Sequence, residues 1–161
     1  MLSELRRKRL IEAMGAEGLD VVLLYGNSWQ NDYLRYATDF GILEGQALAT
    51  VRADGEVTLY LDSPLEAERA SVDCHGINIV HAPDLLTQVD GALDRMRNQR
   101  IGGAPYNLLP RKVTARAKEI SLDDRTGLLD RLLMGKLDAE VAAIKSAAHL
   151  ADEGYAVFRQ A

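Results

Sequence analysis

The sequence predicts an α/β domain built on a mixed β-sheet with helices on both faces. Segments typical of strands alternate with segments typical of helices after one hairpin, which is the pattern of such sheets. Residues 19–25 form a nearly uninterrupted apolar run, as expected of a strand that is buried on both faces. The length of 161 residues, 47% of them hydrophobic, suffices for one domain with a substantial core.

The chain opens with an amphipathic helix that ends near Gly18. The basic residues at positions 6–9 are predicted to lie on its solvated face. The segment after them is short and contains Glu12, so the sequence predicts neither a signal peptide nor a membrane span there. The predicted apolar face consists of Leu2, Leu5, Ile11 and Met14.

A turn at residues 26–28 is predicted to follow the first strand and to lead into an aromatic-rich helical segment at residues 29–36. Residues 47–51 and 57–61 then read as two strands of a hairpin. The dipeptide Asp54-Gly55 between them is typical of a tight hairpin turn, which makes this hairpin the strongest local prediction in the chain.

Ser63, Pro64 and Glu66 form a capping box, which predicts a helix that begins there and runs to about residue 72. Asp124 or Thr126 is predicted to cap another helix that ends near Gly135. The other predicted elements are strands at residues 77–80, 100–102 and 120–122, and helices at residues 85–97 and 110–117.

The sequence lacks the common motifs for phosphate binding, serine hydrolysis and zinc binding. Gly102-Gly103 is predicted to form only a turn. Three histidines, at positions 75, 81 and 149, form no ligand pair at helical spacing. Cys74, the one cysteine, is predicted to be a small buried residue; a single cysteine excludes an internal disulfide and is typical of a reducing cytoplasm.

The distribution of charge argues against nucleic acid as a partner and against a two-metal nuclease. The net charge is -5. A two-metal nuclease of the ribonuclease H-like kind needs several carboxylates that converge on paired ions. The predicted strands at residues 21–25 and 57–61 contain none, and the acidic residues at element ends are explained by caps and turns: Asp20, Asp62, Asp123 and Asp124.

Residues 29–40 contain the single tryptophan and several hydrogen-bonding side chains between a strand and a hairpin. Such amphipathic aromatics are typical of recognition surfaces. The alternative is that Trp29, Tyr33 and Tyr36 pack the short helix on the sheet, and the residues alone leave both interpretations open. The candidates for a substrate cap or a dimer contact are Trp29, Asn31, Asp32, Tyr33, Arg35, Asp39 and Phe40.

Residues 138–161 predict one long amphipathic helix, with Asp138 as its N-cap and Glu140 in its first turn. About 24 residues at ~1.5 Å each span roughly 36 Å, and no residue typical of a helix stop follows. We therefore predict a domain at residues 1–135 and a linker helix at residues 136–161. Its predicted apolar stripe consists of Val141, Ile144, Ala148, Ala151, Tyr155 and Phe158.

Three segments, taken in order, resemble a known family. A helix with Arg9 and Met14 leads through Gly18-Leu19-Asp20 into a strand; residues 36–40 resemble a Tyr-Leu-Thr-Gly-Phe motif; and residues 136–145 resemble a Lys-Ser-Pro-Glu-Glu-Ile linker helix. Over essentially its whole length the chain resembles the amino-terminal domain of the creatinase, prolidase and aminopeptidase P "pita-bread" metallohydrolases. It departs from the motifs at Ala37, Asp39 and Leu137-Asp138, where the family has Leu, Gly and Ser-Pro.

The resemblance implies a mixed sheet of ribonuclease H-like architecture and a non-catalytic role beside a following catalytic domain, absent here. That domain would hold two divalent metal ions, Mn, Co or Zn, and act on Xaa-Pro dipeptides, other small peptides or creatine-like amides. The chain itself is expected to bind no metal and to be inactive. A self-sufficient dimerisation or ligand-binding module is the alternative.

The resemblance also implies a homodimer in which this domain covers the partner's active site, and the single cysteine predicts a cytoplasmic location. Residues 29–40 would make that contact. Asp32, Arg35 and Asp39 would pair with substrate termini or partner charges, while Trp29 and Phe40 would exclude water.

Overall fold

Residues 2–159 are described by the computed structural model. The strands are β1 (Val21–Asn27), β2 (Gln46–Arg52), β3 (Val57–Leu61), β4 (Asn78–His81), β5 (Ile101–Ala104) and β6 (Leu122–Asp124). They form one six-stranded sheet in the order β4-β3-β2-β1-β5-β6. Only the pairings of β2 with β1 and β3 are antiparallel, so the sheet is mixed, as predicted.

Helices cover both faces of this sheet. The α-helices of the described residues are α1 (Leu2–Glu17), α2 (Asp32–Thr38), α3 (Pro64–Asp73), α4 (Leu85–Arg95), α5 (Arg111–Thr114), α6 (Thr126–Met134) and α7 (Asp138–Phe158), of which α7 does not cover the sheet. Helices α1, α2, α3 and α6 pack on one face, and α4 and α5 pack on the other. The predicted α/β fold is therefore confirmed.

Strand β1 runs through the middle of the core, as its apolar sequence predicts. Successive side chains of a strand point to opposite faces. Val22 and Leu24 accordingly join the core under α1 and α2, whereas Val21 and Leu23 join the core under α4. All four are fully buried, because helices cover both faces of the strand.

The hairpin and the helix cap form where local signals predicted them. Gly55 adopts φ +96° in the turn between β2 and β3, a conformation that favours glycine. Ser63 Oγ accepts a hydrogen bond from the Glu66 amide at 3.3 Å and so caps α3. The Glu66 carboxylate does not return to Ser63; it accepts hydrogen bonds from the amides of Leu43 and Glu44.

One predicted turn begins later than expected and another is wrong, because the glycines there belong to strands. Gly26 and Asn27 end β1, and the chain turns only at residue 28. Gly102 and Gly103 lie inside β5. A Cβ on Gly103 would lie 2.6 Å from Leu109 Cδ1, and one on Gly102 would lie 2.7 Å from Arg125 Cγ, so glycine here allows close packing of the strand.

The predicted bounds of other elements are displaced. The strands predicted at residues 77–80, 100–102 and 120–122 begin one or two residues later, and the helix predicted at residues 110–117 shortens to α5. Helix α6 begins after Arg125, although Asp124 Oδ1 still accepts a hydrogen bond from the Thr126 amide at 2.8 Å. Leu137, not Asp138, is the N-cap of α7.

The basic side chains predicted to lie on the solvated face of α1 are at least partly exposed, but Arg6, Arg7 and Arg9 also bind other parts of the chain. Arg7 donates to the carbonyl oxygens of His75 and Gly76 after α3, and Arg9 Nη1 donates to the Gly135 carbonyl after α6 at 2.6 Å. These basic side chains satisfy carbonyls at helix ends. The buried apolar residues of α1 are Leu10 and Met14, while Leu5, predicted to be buried, is 49% exposed.

Candidate functional site

The candidate segment, residues 29–40, lies at one edge of the sheet, where parallel strands β1, β5 and β6 all end. Asn27 shapes its entry: its Oδ1 accepts hydrogen bonds from the amides of Trp29 and Gln30, each at 2.9 Å. Asn31 Nδ2 donates back to the Asn27 carbonyl at 2.9 Å. Asn31 is therefore a residue that holds the turn, and the turn displays Trp29.

Trp29 is almost fully solvated. Its side chain is 92% exposed. Leu43, just before β2, and Leu65, just after β3, are 75% and 62% exposed at the same edge of the sheet. All three side chains therefore belong to the end of the sheet where β1 and β3 end and β2 begins, and exposed large apolar side chains there are candidates for an interaction surface. We call Trp29, Leu43 and Leu65 the apolar edge.

Beside the apolar edge, Asp32 and Tyr33 line a cavity of about 360 Å³ together with residues that follow β5 and β6, including Asn107 and Thr126. The Tyr33 hydroxyl donates a hydrogen bond to Asp130 Oδ1 at 2.6 Å. This hydrogen bond to a carboxylate, with burial as the lesser cause, raises the pKa of Tyr33 to about 12. Tyr33 thus ties α2 to α6 as a neutral phenol.

Arg35 and Asp32 both line a groove of about 290 Å³ between α1, α2, the end of α6 and the start of α7. Lys136 and Glu140 contribute to the same groove. The guanidinium of Arg35 has no hydrogen bond or ion pair with the residues the structure describes, whereas the Tyr36 hydroxyl is buried there without a partner.

Asp39 ends α2 in the left-handed conformation with φ 60°, where glycine is usual. Its carboxylate accepts a hydrogen bond from Arg6 Nη1 at 3.1 Å. Phe40 is only 2% exposed and packs in the core, with the Arg69 guanidinium 4.2 Å from its ring centre. Its side chain therefore does not take part in the water-excluding surface that we expected it to form with Trp29.

The structure thus distributes the seven candidates over several surroundings. Trp29 belongs to the apolar edge, Tyr33 to the cavity beside it, Arg35 to the groove, Asp32 to both the cavity and the groove, and Phe40 to the core, while Asn31 holds the turn and Asp39 binds Arg6. The sequence alone does not indicate Arg6, which it places in a solvated basic run, or Leu43, which carries no local signal. Only the folded chain brings these residues to the candidate segment.

Metal ligands do not converge in the part of the chain that the structure describes. Among residues 2–159, no group of three His, Cys, Asp or Glu side chains could hold a metal ion. Burial raises the pKa of the Cys74 thiol to about 11, so it is a neutral, partly buried side chain. None of the helices over the same residues is long and apolar enough to cross a membrane.

Known proteins provide a family and a set of similar folds. The family described as "Creatinase/Prolidase N-terminal domain" matches residues 6–134. No curated protein sequence matches the chain. Among solved structures, an aminopeptidase P from Streptococcus thermophilus is 19% identical with a TM-score of 0.65, and the match covers 82% of this chain and 98% of that one.

Two longer solved chains have the same fold. An Xaa-Pro dipeptidase from Bacillus anthracis is 23% identical with a TM-score of 0.71, and the match covers 95% of this chain but 42% of that one. A prolidase from Pyrococcus horikoshii is 19% identical with a TM-score of 0.65, and the match covers 92% of this chain and 40% of that one. This chain therefore spans less than half of these two proteins. Because the family match covers most of the sequence, the chain belongs to the creatinase/prolidase N-terminal domain family.

Proposed function

We propose that this chain is the non-catalytic amino-terminal domain of a metal-dependent Xaa-Pro peptidase, dipeptidase or related C–N amidohydrolase. The observation that carries the proposal is the family match over residues 6–134, combined with coverage of only 42% of the Bacillus anthracis dipeptidase. In such a protein the remaining length would supply the catalytic domain. The chain described here would shape the substrate site and the dimer.

The exposure of α7 supports a joint to a following domain. Val141, Ile144, Tyr155 and Phe158 of its apolar stripe are 38%, 55%, 65% and 79% exposed. A helix whose apolar stripe meets water is stabilised when another surface covers it. We propose that a following catalytic domain provides that surface.

The apolar edge supports the second part of the proposal, a cap over the active site of a partner subunit in a homodimer. Trp29 would exclude water from a small peptide or amide substrate, while Asp32 and Arg35 would pair with charged substrate termini or partner groups. Tyr33 and Asn31 would hold the segment in shape. The lone, partly buried Cys74 agrees with a reducing, cytoplasmic compartment.

Two divalent ions, Mn, Co or Zn, would supply the chemistry in the parent protein by activating water and polarising the scissile carbonyl. The described residues form no cluster that fits such ions. The proposal therefore assigns no metal ligand and no catalytic residue to this chain.

The second candidate is a self-sufficient dimerisation or ligand-binding module. It rests on the same exposed stripe of α7, which a second copy of the helix would cover. The two candidates differ in what lies beyond residue 161 of the natural gene. A continuing reading frame with ordered Asp, Asp, His, Glu and Glu positions supports the peptidase proposal, whereas a stop codon there contradicts it.

Activity measurements test the proposal directly. We expect the 161-residue chain with Mn, Co or Zn to cleave no Xaa-Pro dipeptide, and the protein encoded by the continuing frame to cleave one. In that longer protein, Trp29→Ala should raise KM or lower kcat/KM by about tenfold, the effect of losing ~1.4 kcal/mol of transition-state binding. Val72→Ala, on the exposed part of α3, is the matched control. Metal-dependent turnover by the short chain would refute the proposal.

A further inference from the structure

Glu140 differs from every other residue of α7. The residue as a whole is buried, with 9% of its surface exposed, whereas the other α7 residues are exposed. Both carboxylate oxygens have partners: Oε1 accepts a hydrogen bond from Arg6 Nε at 2.7 Å, and Oε2 accepts one from the Leu137 amide at 2.7 Å. The first turn of α7 is therefore tied to α1 and to its own N-cap by one side chain.

Arg6 connects this turn to a third helix. While its Nε binds Glu140, its Nη1 lies 3.1 Å from Asp39 Oδ1 at the end of α2. The side chains of Arg6 and Glu140 are only 17% and 10% exposed, whereas that of Asp39 is 50% exposed, so the contact between Arg6 and Glu140 is the buried one of the two. Charge-assisted hydrogen bonds between partly buried groups are stronger and more directional than surface ion pairs. We call Arg6, Asp39 and Glu140 the arginine bridge.

Asp39, the third member of the arginine bridge, occupies a backbone position where aspartate is unusual. The backbone there is left-handed, with φ 60°, and glycine or asparagine is the common choice. Aspartate tolerates this conformation less well than glycine. The structure offers a compensating interaction, because only a side chain with an acceptor can bind Arg6 at this point.

A small rotation at the bridge has a large effect at the far end of α7. The helix has 21 residues. At ~1.5 Å per residue it is about 30 Å long, so a rotation of about 10° at its first turn moves its end by about 5 Å. Beyond the first two turns, no residue of α7 is buried against the described chain.

We infer that the arginine bridge sets the direction of α7 relative to the sheet. The inference deepens the proposed function and rests on it in one respect: a helix held in one direction would present a following domain in one orientation. Arg6, Asp39 and Glu140 are then positioning residues, not catalytic ones.

The distance between two spin labels, one on the sheet-packed helix α3 and one on α7, tests this inference in the 161-residue chain. A helix held in one direction gives a narrow distribution of that distance. With Cys74 replaced by alanine, spin labels at Val72→Cys on α3 and Ser146→Cys on α7 report the direction of the helix by pulsed electron paramagnetic resonance. Both positions are exposed. We expect a narrow distance distribution for the labelled chain that retains Glu140. The distribution should be at least twofold broader for Glu140→Ala, because alanine preserves the helix but removes both hydrogen bonds.

Asp39→Gly provides a second variant that is expected to fold well. Glycine suits the left-handed position, so only the contact with Arg6 is lost, and the distribution should again broaden. Glu153→Gln, an exposed α7 carboxylate that faces His149, is the matched control and should leave the width unchanged. Denaturant unfolding of each variant confirms that the sheet domain is intact.

An unchanged width in either Glu140→Ala or Asp39→Gly overturns the inference. The same holds if Glu153→Gln broadens the distribution as much as Glu140→Ala does. Since no activity is measured, these outcomes leave the proposed peptidase role standing, and a failure of that role leaves the bridge standing.

Discussion

Strand β1 and the stripe of helix α7 are both apolar, yet β1 is buried and the stripe is exposed. Val21, Val22, Leu23 and Leu24 are fully buried, whereas Ile144 and Phe158 of the α7 stripe are 55% and 79% exposed. Each buried Val or Leu side chain contributes about 1.5–3 kcal/mol to folding, and an exposed one contributes little. An apolar stripe therefore stabilises this domain only where the chain itself supplies the facing surface.

The largest expected effect on stability comes from a substitution in β1, and the equivalent substitution in α7 should have almost none. Leu24→Ala removes a fully buried side chain between helices and sheet, and it should lower the free energy of unfolding by about 2–5 kcal/mol. Ile144→Ala in α7 should change it by less than about 0.5 kcal/mol, because the side chain is half exposed. Urea unfolding measures both values. Comparable losses in the two variants would contradict the distinction between β1 and α7.

A buried carboxylate inside the domain should have the next largest effect. Glu66 is 2% exposed and accepts hydrogen bonds from the amides of Leu43 and Glu44, while Arg69 pairs with its other oxygen. Glu66→Ala leaves these donors without their acceptor, so we expect a loss of about 2–4 kcal/mol in unfolding free energy.

Glu68→Ala on the exposed side of the same helix is the matched control and should cost less than about 0.5 kcal/mol. A Glu66→Ala variant as stable as Glu68→Ala would show that the loop before β2 does not depend on this carboxylate.

A smaller effect is expected where α2 meets α6. Tyr33→Phe removes the 2.6 Å hydrogen bond to Asp130, and it should lower the unfolding free energy by about 1 kcal/mol. Tyr155→Phe on exposed α7 is the comparison, and it should have no measurable effect. Equal stability of Tyr33→Phe and the parent chain would mean that the hydrogen bond only replaces one to water.

The Tyr33 hydroxyl also predicts how the stability of the fold depends on pH. The pKa of Tyr33 is raised from 10.0 in the free side chain to about 12 in the fold. The contribution of the Tyr33 hydrogen bond to the free energy of unfolding is thus complete below pH 10 and is lost as the pH rises toward 12. The difference between phenolate absorbance titrations of the parent and Tyr33→Phe should have its midpoint near 12; a midpoint near 10 would contradict the hydrogen bond in solution.

The smallest effect on stability is expected at the far end of α7. Tyr155→Ser with Phe158→Ser should leave the unfolding free energy of the sheet domain unchanged within about 0.5 kcal/mol, since both side chains are solvated. If a second copy covers the stripe, sedimentation should show a dimer that this double variant weakens. If the longer protein's next domain covers it, the short chain should sediment in the same state with or without the changes.

Local signals predicted much of the fold because the forces involved act over a few residues. The apolar run of β1, the Asp54-Gly55 turn and the Ser63 cap are all properties of neighbouring residues, and all three form as predicted. The turn predicted at Gly102-Gly103 was wrong for the opposite reason. Those glycines are required by Leu109 and Arg125, which approach β5 from later parts of the chain.

The candidate site was less predictable, because exposure is decided by what packs on each residue. Trp29 and Phe40 are both aromatic and flank the same short helix, but one is 92% exposed and the other 2%. No pattern within residues 29–40 distinguishes them. Arg6 likewise looked like one charge in a basic run, although its partners are 33 and 134 residues away.

By itself the sequence determined the α/β class, the alternation of elements and the resemblance to the creatinase and prolidase amino-terminal domain, because periodicity, turn residues and caps act locally. Tertiary structure alone decided which aromatic reaches solvent, which arginine binds a carboxylate and how α7 leaves the domain. Those features depend on contacts between residues far apart in the chain, whose geometry exists only once the sheet and its helices have packed.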